Sequence, residues 1–538
     1  MSINQDLSIT YDAVVIGAGF SGLQQLHFLR DRIGLKTLVL EAGEAVGGTW
    51  YWNRYPGARC DSESHTYCFY FSEKILKEWN WSERYPGQKE ILNYLNFVTD
   101  TLGLRANIQF NTRVKLIQYD QIKNIWILKT ADGAEFRAKY VISAVGCLSS
   151  ANSPEISGTN KFMGELYHTG KWPHDAVDFV DKKVGIIGTG SSGIQAIPLI
   201  ARSAKHLTVF QRTPNFSVPA RNSKLSDEFI SKFKSKIAYY KKEMRAARHG
   251  HPWRAPDRSV RSTSKIEREI ILEKAWNIGG LRFRESFGDT LTDSVSNELM
   301  SFFIKQKILE LVDDPEKAKI LTNFDHPFGT KRPALDTHYF ETFNRDNVKL
   351  IDIRADPIKC ITKNGLETNL EKFNLDMIIF ATGFDALTGS LLKMEIIGRD
   401  GLPLSKKWSD GPKTYLGLQV AGFPNFFIVT GPGSPSVLTN MPQSIDQNVT
   451  WITDCISYLI KNDLTKIEAE EDAMNSWMDH VQKEVEGTLF LKAKHSWYLG
   501  ANVKGKPQVF MPYVGGLDKY REVCQEVAND SYRGFQIS

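Results

Sequence analysis

Tyr11-Asp-Ala-Val-Val-Ile16 runs without a break into Gly17-Ala-Gly-Phe-Ser-Gly22. The first half is a short apolar run with β-branched residues, the composition of a strand buried in a parallel sheet. The second half spaces three glycines as G-x-G-x-x-G, after which Leu23, Leu26 and the Phe28-Leu29 pair recur at helical spacing. A second apolar run, Thr37-Leu-Val-Leu40, ends in Glu41, about twenty residues past Gly22. Strand, glycine turn, helix, strand and acid together form the βαβ unit that binds a dinucleotide. Gly17 allows the tight turn, Gly19 lets a pyrophosphate approach the backbone, and Gly22 lets helix and strand pack closely. The helix N-terminus, at Phe20 and Ser21, offers free N–H groups and a positive dipole end to the phosphates. Glu41 can accept hydrogen bonds from a ribose diol and would repel a 2′-phosphate. This site is therefore expected to hold FAD or NAD rather than NADP.

The pattern returns once. Val184-Gly-Ile-Ile187 leads into Gly188-Thr189-Gly190-Ser191-Ser192-Gly193, and Ile194, Ile197 and Ile200 continue as a helical face that also carries Gln195. The next strand, Leu207-Thr-Val-Phe210, ends in Gln211-Arg212-Thr213, so a neutral residue and a cation stand where the first cradle has its acid. An arginine fork suits a 2′-phosphate. NADP is expected here; the blander alternative makes Arg212 a solvated surface charge. Two cradles of opposite charge logic imply a flavin exchanging electrons with NADPH. Val141 to Gly146, and Met377-Ile-Ile-Phe380 before Ala381-Thr-Gly383, read as strands returning to these folds.

The chain has 538 residues, and at ~150 residues per domain that is enough for three to four. Its composition is that of an ordinary soluble α/β protein, and a net charge of +5 over this length gives no case for nucleic acid or a membrane surface. No apolar run reaches the ~18–20 residues of a membrane span, and Met1 to Thr10 lacks a signal-peptide pattern. The six cysteines include no CxxC pair, which leaves no metal site and makes a reducing cytoplasm the expected location. A disulfide reductase needs a redox cysteine pair beside the flavin, but Gly48-Thr49 is followed by Trp50-Tyr51-Trp52. Bulky aromatics there would exclude water from a flavin ring.

Phe162-Met-Gly-Glu-Leu-Tyr-His-Thr-Gly-Lys-Trp-Pro173 fits the fingerprint F-x-G-x-x-x-H-T-x-x-W-P of the Baeyer–Villiger monooxygenases at every specified position. Gly48-Thr-Trp50 through Tyr55-Pro-Gly57 to Asp61 resembles that family's second signature, G-x-W-x-x-x-x-Y-P-G-x-x-x-D. Lys331-Arg332-Pro333 and His495-Ser-Trp497-Tyr-Leu-Gly-Ala-Asn502 add further likeness. The resemblance implies FAD and NADP as cofactors, and conversion of a ketone and O2 to an ester or lactone through a peroxyflavin and a tetrahedral adduct. It assigns Arg332 to the developing negative charge, because a guanidinium stays cationic at any working pH. It also places Asp61 beside the flavin as the residue that orients Arg332, and Lys331 with Arg212 and Thr213 on the 2′-phosphate. Trp497 would pack on the nicotinamide half, and Val437 and Leu438, in the loop Gly431–Asn440, would wall the ketone site. Tyr67 and Val114 are expected on the FAD side. His168 is read as coupling NADP binding to domain position from an interdomain linker, and 499–514 as a mobile flap over NADP. An ordinary core aromatic at Trp497, two solvated charges at 331–332 and a surface turn at 431–440 are the alternatives.

The expected architecture is α/β, with two Rossmann-like domains and a helical insertion. Residues 1–150 and 386–538 form the FAD-binding domain, 151–223 and 331–385 the NADP-binding domain, and 224–330 the insertion. The charged run Glu468–Glu486 is expected to be solvated on most faces. No obligate protein partner is evident. Two other readings stay open: an N- or S-oxidising flavin monooxygenase on the same scaffold, and a flavoprotein that senses the NADPH/NADP ratio.

Overall fold

The computed structural model describes residues 10–538; the N-terminal stretch read for a targeting signal lies almost wholly outside them. Six strands of the first sheet come early: β1 (Thr10–Ile16), β2 (Thr37–Leu40), β3 (Ile108–Gln109), β4 (Val114–Asp120), β5 (Ile125–Thr130) and β6 (Glu135–Ser143). β2, β1 and β6 lie parallel, β3 extends β2, and β4 and β5 form an antiparallel flank on β6. Two strands arrive from far along the chain: Glu395–Ile397 joins β4 and Phe426–Ile428 joins β6, both in parallel. Between β1 and β2 runs α1 (Phe20–His27), whose polar face is not solvated. Gln24 donates to Asp446 Oδ1 at 2.7 Å and Gln25 to Thr453 Oγ1 at 3.1 Å, both on the helix Met441–Lys461. These bonds fasten the late part of the chain onto the first cradle and pair the buried amide N–H donors of both glutamines.

The second sheet holds β7 (Glu165–His168), β8 (Lys183–Ile187), β9 (His206–Gln211), β10 (Val348–Asp352) and β11 (Met377–Phe380). Its order is β10-β9-β8-β11-β7, parallel throughout. β8 and β11 are nearly continuous apolar runs, as strands covered on both faces require. α2 (Ser191–Ser203) follows β8. Between β10 and β11 lies an antiparallel meander of Ile358–Thr362, Gly365–Thr368 and Lys372–Asn374, which the sequence reading did not single out.

From β9 the chain leaves this sheet for helices at Asp227–Ser235, Ile237–Ala246, Lys265–Ile278, Ser294–Leu311 and Pro315–Leu321. Side chains that start them are legible: Ser226, Ser264, Asp293 and Asp314 each accept a backbone N–H of the first turn. The first two helices send Phe233, Ile237 and Met244 into the core of the first sheet. Later ones send Leu272, Trp276, Met300 and Phe303 into that of the second. At roughly 1.5–3 kcal/mol per large apolar side chain, these contacts anchor the first two helices on one sheet and the later ones on the other.

Three expectations are corrected. His168 ends β7, an edge strand of the second sheet, and is not in a linker; a strand of four residues is too short to show a period. The run Glu468–Glu486 is not solvated: Glu468 lies in a short buried strand, and the helix Glu471–Glu486 buries Met474, Trp477, Met478, Val481 and Val485. Its charges occupy the opposite face, so counting charge alone hides the apolar stripe. In 499–514, Lys504, Gly505 and Gln508 are exposed whereas Phe510 to Val514 are buried, so the expected flap is confined to 499–509.

Candidate active site

Both glycine cradles open into one cleft of about 2220 Å³. In each, the third glycine is dictated by contact: a Cβ on Gly22 would lie 1.8 Å from the Gly17 carbonyl oxygen, and one on Gly193 would lie 2.3 Å from that of Gly188. At Gly190 a Cβ would meet nothing within 4 Å, so this cradle faces free space, the room a pyrophosphate needs. Glu41, 4% exposed, accepts from Ala18 N at 2.6 Å and Gly43 N at 2.7 Å. Burial raises its pKa, against the pull of these backbone N–H groups. The residues present fit a dinucleotide at both cradles.

On the first side Gly17, Gly19, Phe20, Ser21, Glu41, Gly48, Thr49, Trp50, Asp61, Tyr67 and Val114 line the cleft. Trp50 Nε1 donates to Tyr67 Oη at 3.3 Å. On the second side stand Gly188, Thr189, Gly190, Ser191, Ser192, Gln195, Arg212, Thr213, Lys331, Arg332 and Trp497. Gly22 and Gly193 pack behind the cradles. Val437 lines the cleft, with Thr439 and Met441. Leu438 is buried in the apolar cluster of Val485, Phe490 and Phe510 and is not among the lining residues.

Arg332 and Asp61, far apart in the chain, form a two-pronged ion pair. Nε meets Asp61 Oδ2, and Nη2 donates to Oδ1 at 3.0 Å. The remaining prong, Nη1, donates to the Val437 carbonyl at 3.0 Å. Burial by itself would lower the Arg332 pKa; the Asp61 charge more than reverses this, and the group is held firmly cationic. Beside it, burial pushes the Cys60 thiol well up.

Lys331 lies 4.0 Å from Asp325, whose other oxygen accepts from Thr213 Oγ1 at 3.3 Å. Burial lowers the Lys331 pKa, the Asp325 charge opposes that, and the like charge of Arg212 adds to the lowering. His326, 3.0 Å from Asp325, is the main cause that holds this carboxylate well below the usual range. Sequence reasoning missed Asp325. An acid among the expected phosphate ligands carries no motif.

His168 Nδ1 accepts from Gly170 N at 3.0 Å, while Nε2 lies 3.3 Å from both the Asn152 carbonyl and Thr382 Oγ1. Burial lowers its pKa. Asn152 donates to the Asn502 carbonyl at 3.0 Å, and Asn502 donates to that of Phe384 at 2.8 Å. His168 thus connects, through Asn152, to the segment that carries Trp497; Asn152 carried no signal in the sequence, whereas Asn502 closes the stretch His495–Asn502. Among the described residues no His, Cys, Asp and Glu group could hold a metal ion, and no helix is long and apolar enough to cross a membrane.

Comparison with known proteins gives one family profile, described as pyridine nucleotide-disulphide oxidoreductase, matching residues 14–273. The chain is 42% identical to a cyclohexanone 1,2-monooxygenase of Acinetobacter sp, covering 98% of this chain and 96% of that one. It is 40% identical to a Baeyer–Villiger monooxygenase of Pseudooceanicola batsensis, covering 97% and 95%. Among solved structures it matches OTEMO in complex with FAD and NADP with a TM-score of 0.95, at 40% identity over 98% of this chain and 99% of that one.

Proposed function

This chain belongs to the Baeyer–Villiger monooxygenase family, and on that premise we propose how its own residues carry out the reaction. The enzyme contains FAD and uses NADPH and O2 to convert ketones to esters or lactones. The observation that carries this reading is the Arg332–Asp61 pair, set in the one cleft that both cradles open into. FAD held at the first cradle would supply the two-electron redox chemistry with NADPH and the activation of O2. Arg332 faces the negative charge that develops as oxygen is inserted beside the carbonyl. Its fork is already fixed on Asp61 and Val437, so little reorganisation is needed when that charge appears. Asp61 is a positioning residue that keeps the guanidinium aimed and charged. Trp50 and Tyr67, joined by their hydrogen bond, limit water on the flavin side.

The division of labour follows the boundaries given above. Residues 1–150 and 386–538 hold FAD, 151–223 and 331–385 hold NADP, and 224–330 brace the two. Val437 walls the ketone site. Leu438 supports that wall from behind. His168 couples the NADP side to the segment around Trp497 through Asn152 and Asn502. All six cysteines are free, which supports a cytoplasmic location.

The test is a product profile. Incubated with NADPH and O2, the protein is expected to convert members of a panel of cyclic, linear and aryl ketones to esters. Oxidation confined to amines and sulfides would overturn this reading in favour of N- or S-oxidation. NADPH oxidation with no turnover of any substrate would favour the sensing role. A second expectation concerns Arg212 and Lys331, whose clustered positive charge suits a 2′-phosphate. Arg212→Ala should narrow the preference for NADPH over NADH by roughly ten- to a hundredfold, since a charge-assisted pair contributes about 1.5–3 kcal/mol. An unchanged ratio of kcat/KM values would put the phosphate elsewhere.

A further inference from the structure

The loop Gly431–Asn440, rich in Gly, Pro and Ser, is buried at every position. It grips Arg332: the Val437 carbonyl accepts Nη1 at 3.0 Å and that of Thr439 lies at 3.5 Å. The guanidinium therefore sits between two jaws, Asp61 on one chain segment and this loop on another. Its direction is fixed only if the jaws are fixed to each other.

One buried side chain joins them. Asn440 immediately precedes the helix Met441–Lys461, where an asparagine ordinarily accepts an N–H of the first turn. It makes no such cap. Instead Nδ2 donates to the Thr66 carbonyl at 2.8 Å, in the segment that carries Asp61, and to the Gly250 carbonyl at 3.2 Å, in the helical insertion. The Asn440 backbone N–H donates to the His249 carbonyl at 2.9 Å. His249 Nε2 lies 3.6 Å from Glu285, which Arg284 holds at 3.0 Å. The Asn440 Oδ1 is buried without a partner among the described residues, so the side chain serves as a donor only.

We infer that Asn440 is a positioning residue for Arg332: by tying the Arg332-gripping loop to the Asp61 segment and to the insertion, it keeps both jaws in register. This rests on the reading of Arg332 given above. Displacing a preorganised group by about 1 Å can cost on the order of 10²-fold in rate. The loss here should fall on oxygen transfer, because Asn440 is not among the residues lining the cleft.

The test compares the native holoenzyme with Asn440→Ala, with Asn440→Leu, which is similar in size and has no donor, and with Arg332→Ala. Each is assayed for bound FAD, for the rate at which NADPH bleaches the flavin under nitrogen, and for ester formed per NADPH consumed in air. The ketone is one that the panel shows to be converted. Both Asn440 variants are expected to keep FAD and bleach within about twofold of native, while ester per NADPH falls roughly tenfold and hydrogen peroxide rises to match. Native ester yields from both variants, with Arg332→Ala inactive, would overturn the inference alone. Native yields from Arg332→Ala would overturn the reading beneath it. Loss of FAD from both Asn440 variants would also overturn the inference, since Asn440 would then belong to folding.

Discussion

Arg332→Ala is expected to lower ester formation by on the order of 10²–10³-fold while NADPH still bleaches the flavin under nitrogen at a rate close to native. The magnitude is that of removing one preorganised donor from a site where negative charge develops. The asymmetry follows from where the side chain is bound. Its three nitrogens are committed to Asp61 and to the Val437 carbonyl, and none of these contacts involves a cradle. Hydride transfer depends on how the two dinucleotides lie in their cradles, which the substitution leaves standing. Arg332→Lys keeps a charge but cannot span both Asp61 oxygens and the Val437 carbonyl, so it should recover only part of the loss. Anaerobic bleaching followed by product analysis in air separates the two half-reactions. Ester yields near native from Arg332→Ala would remove this residue from the mechanism.

The second large effect is expected at the first cradle. In Gly22→Ala the new methyl carbon would lie 1.8 Å from the Gly17 carbonyl oxygen, an overlap of backbone with side chain that no rotamer relieves. The strand β1 and the helix α1 must separate, and the turn that would hold the FAD pyrophosphate opens. The purified variant should be colourless, or should fail to fold. Gly190→Ala is the contrast: its methyl would project into open cleft, so folding and yellow colour should survive while KM for NADPH rises. Flavin absorbance of the two purified variants checks both. A yellow Gly22→Ala protein with native FAD content would contradict the close-packing account.

These two sites differ in how far the sequence discloses them. The cradles are local: strand, three glycines and helix sit in one short run, so spacing alone announces them, and the acid at Glu41 against the cation at Arg212 is the sequence feature on which the proposed assignment of FAD and NADP to them rests. The Arg332–Asp61 pair is not local. Its halves are brought together by the return of the chain at Lys331, and only resemblance to a family pointed to them. The loop Gly431–Asn440 has the composition of a surface turn and is entirely buried, because its backbone polar groups are used by Arg332, His249 and its own Ser and Thr hydroxyls. His168 gave no strand signal because β7 is four residues long. The helix Glu471–Glu486 did carry a signal, in Met474, Trp477, Met478, Val481 and Val485 at helical spacing, but charge on its outer face obscured it.

The fate of molecular oxygen tests oxygen insertion most directly. The native holoenzyme is supplied with NADPH, an accepted ketone and ¹⁸O₂, and the product is analysed by mass. The expected result is an ester with one ¹⁸O in the new C–O–C linkage for each NADPH consumed. Ketone recovered without any ester, with all the label in hydrogen peroxide, would contradict it.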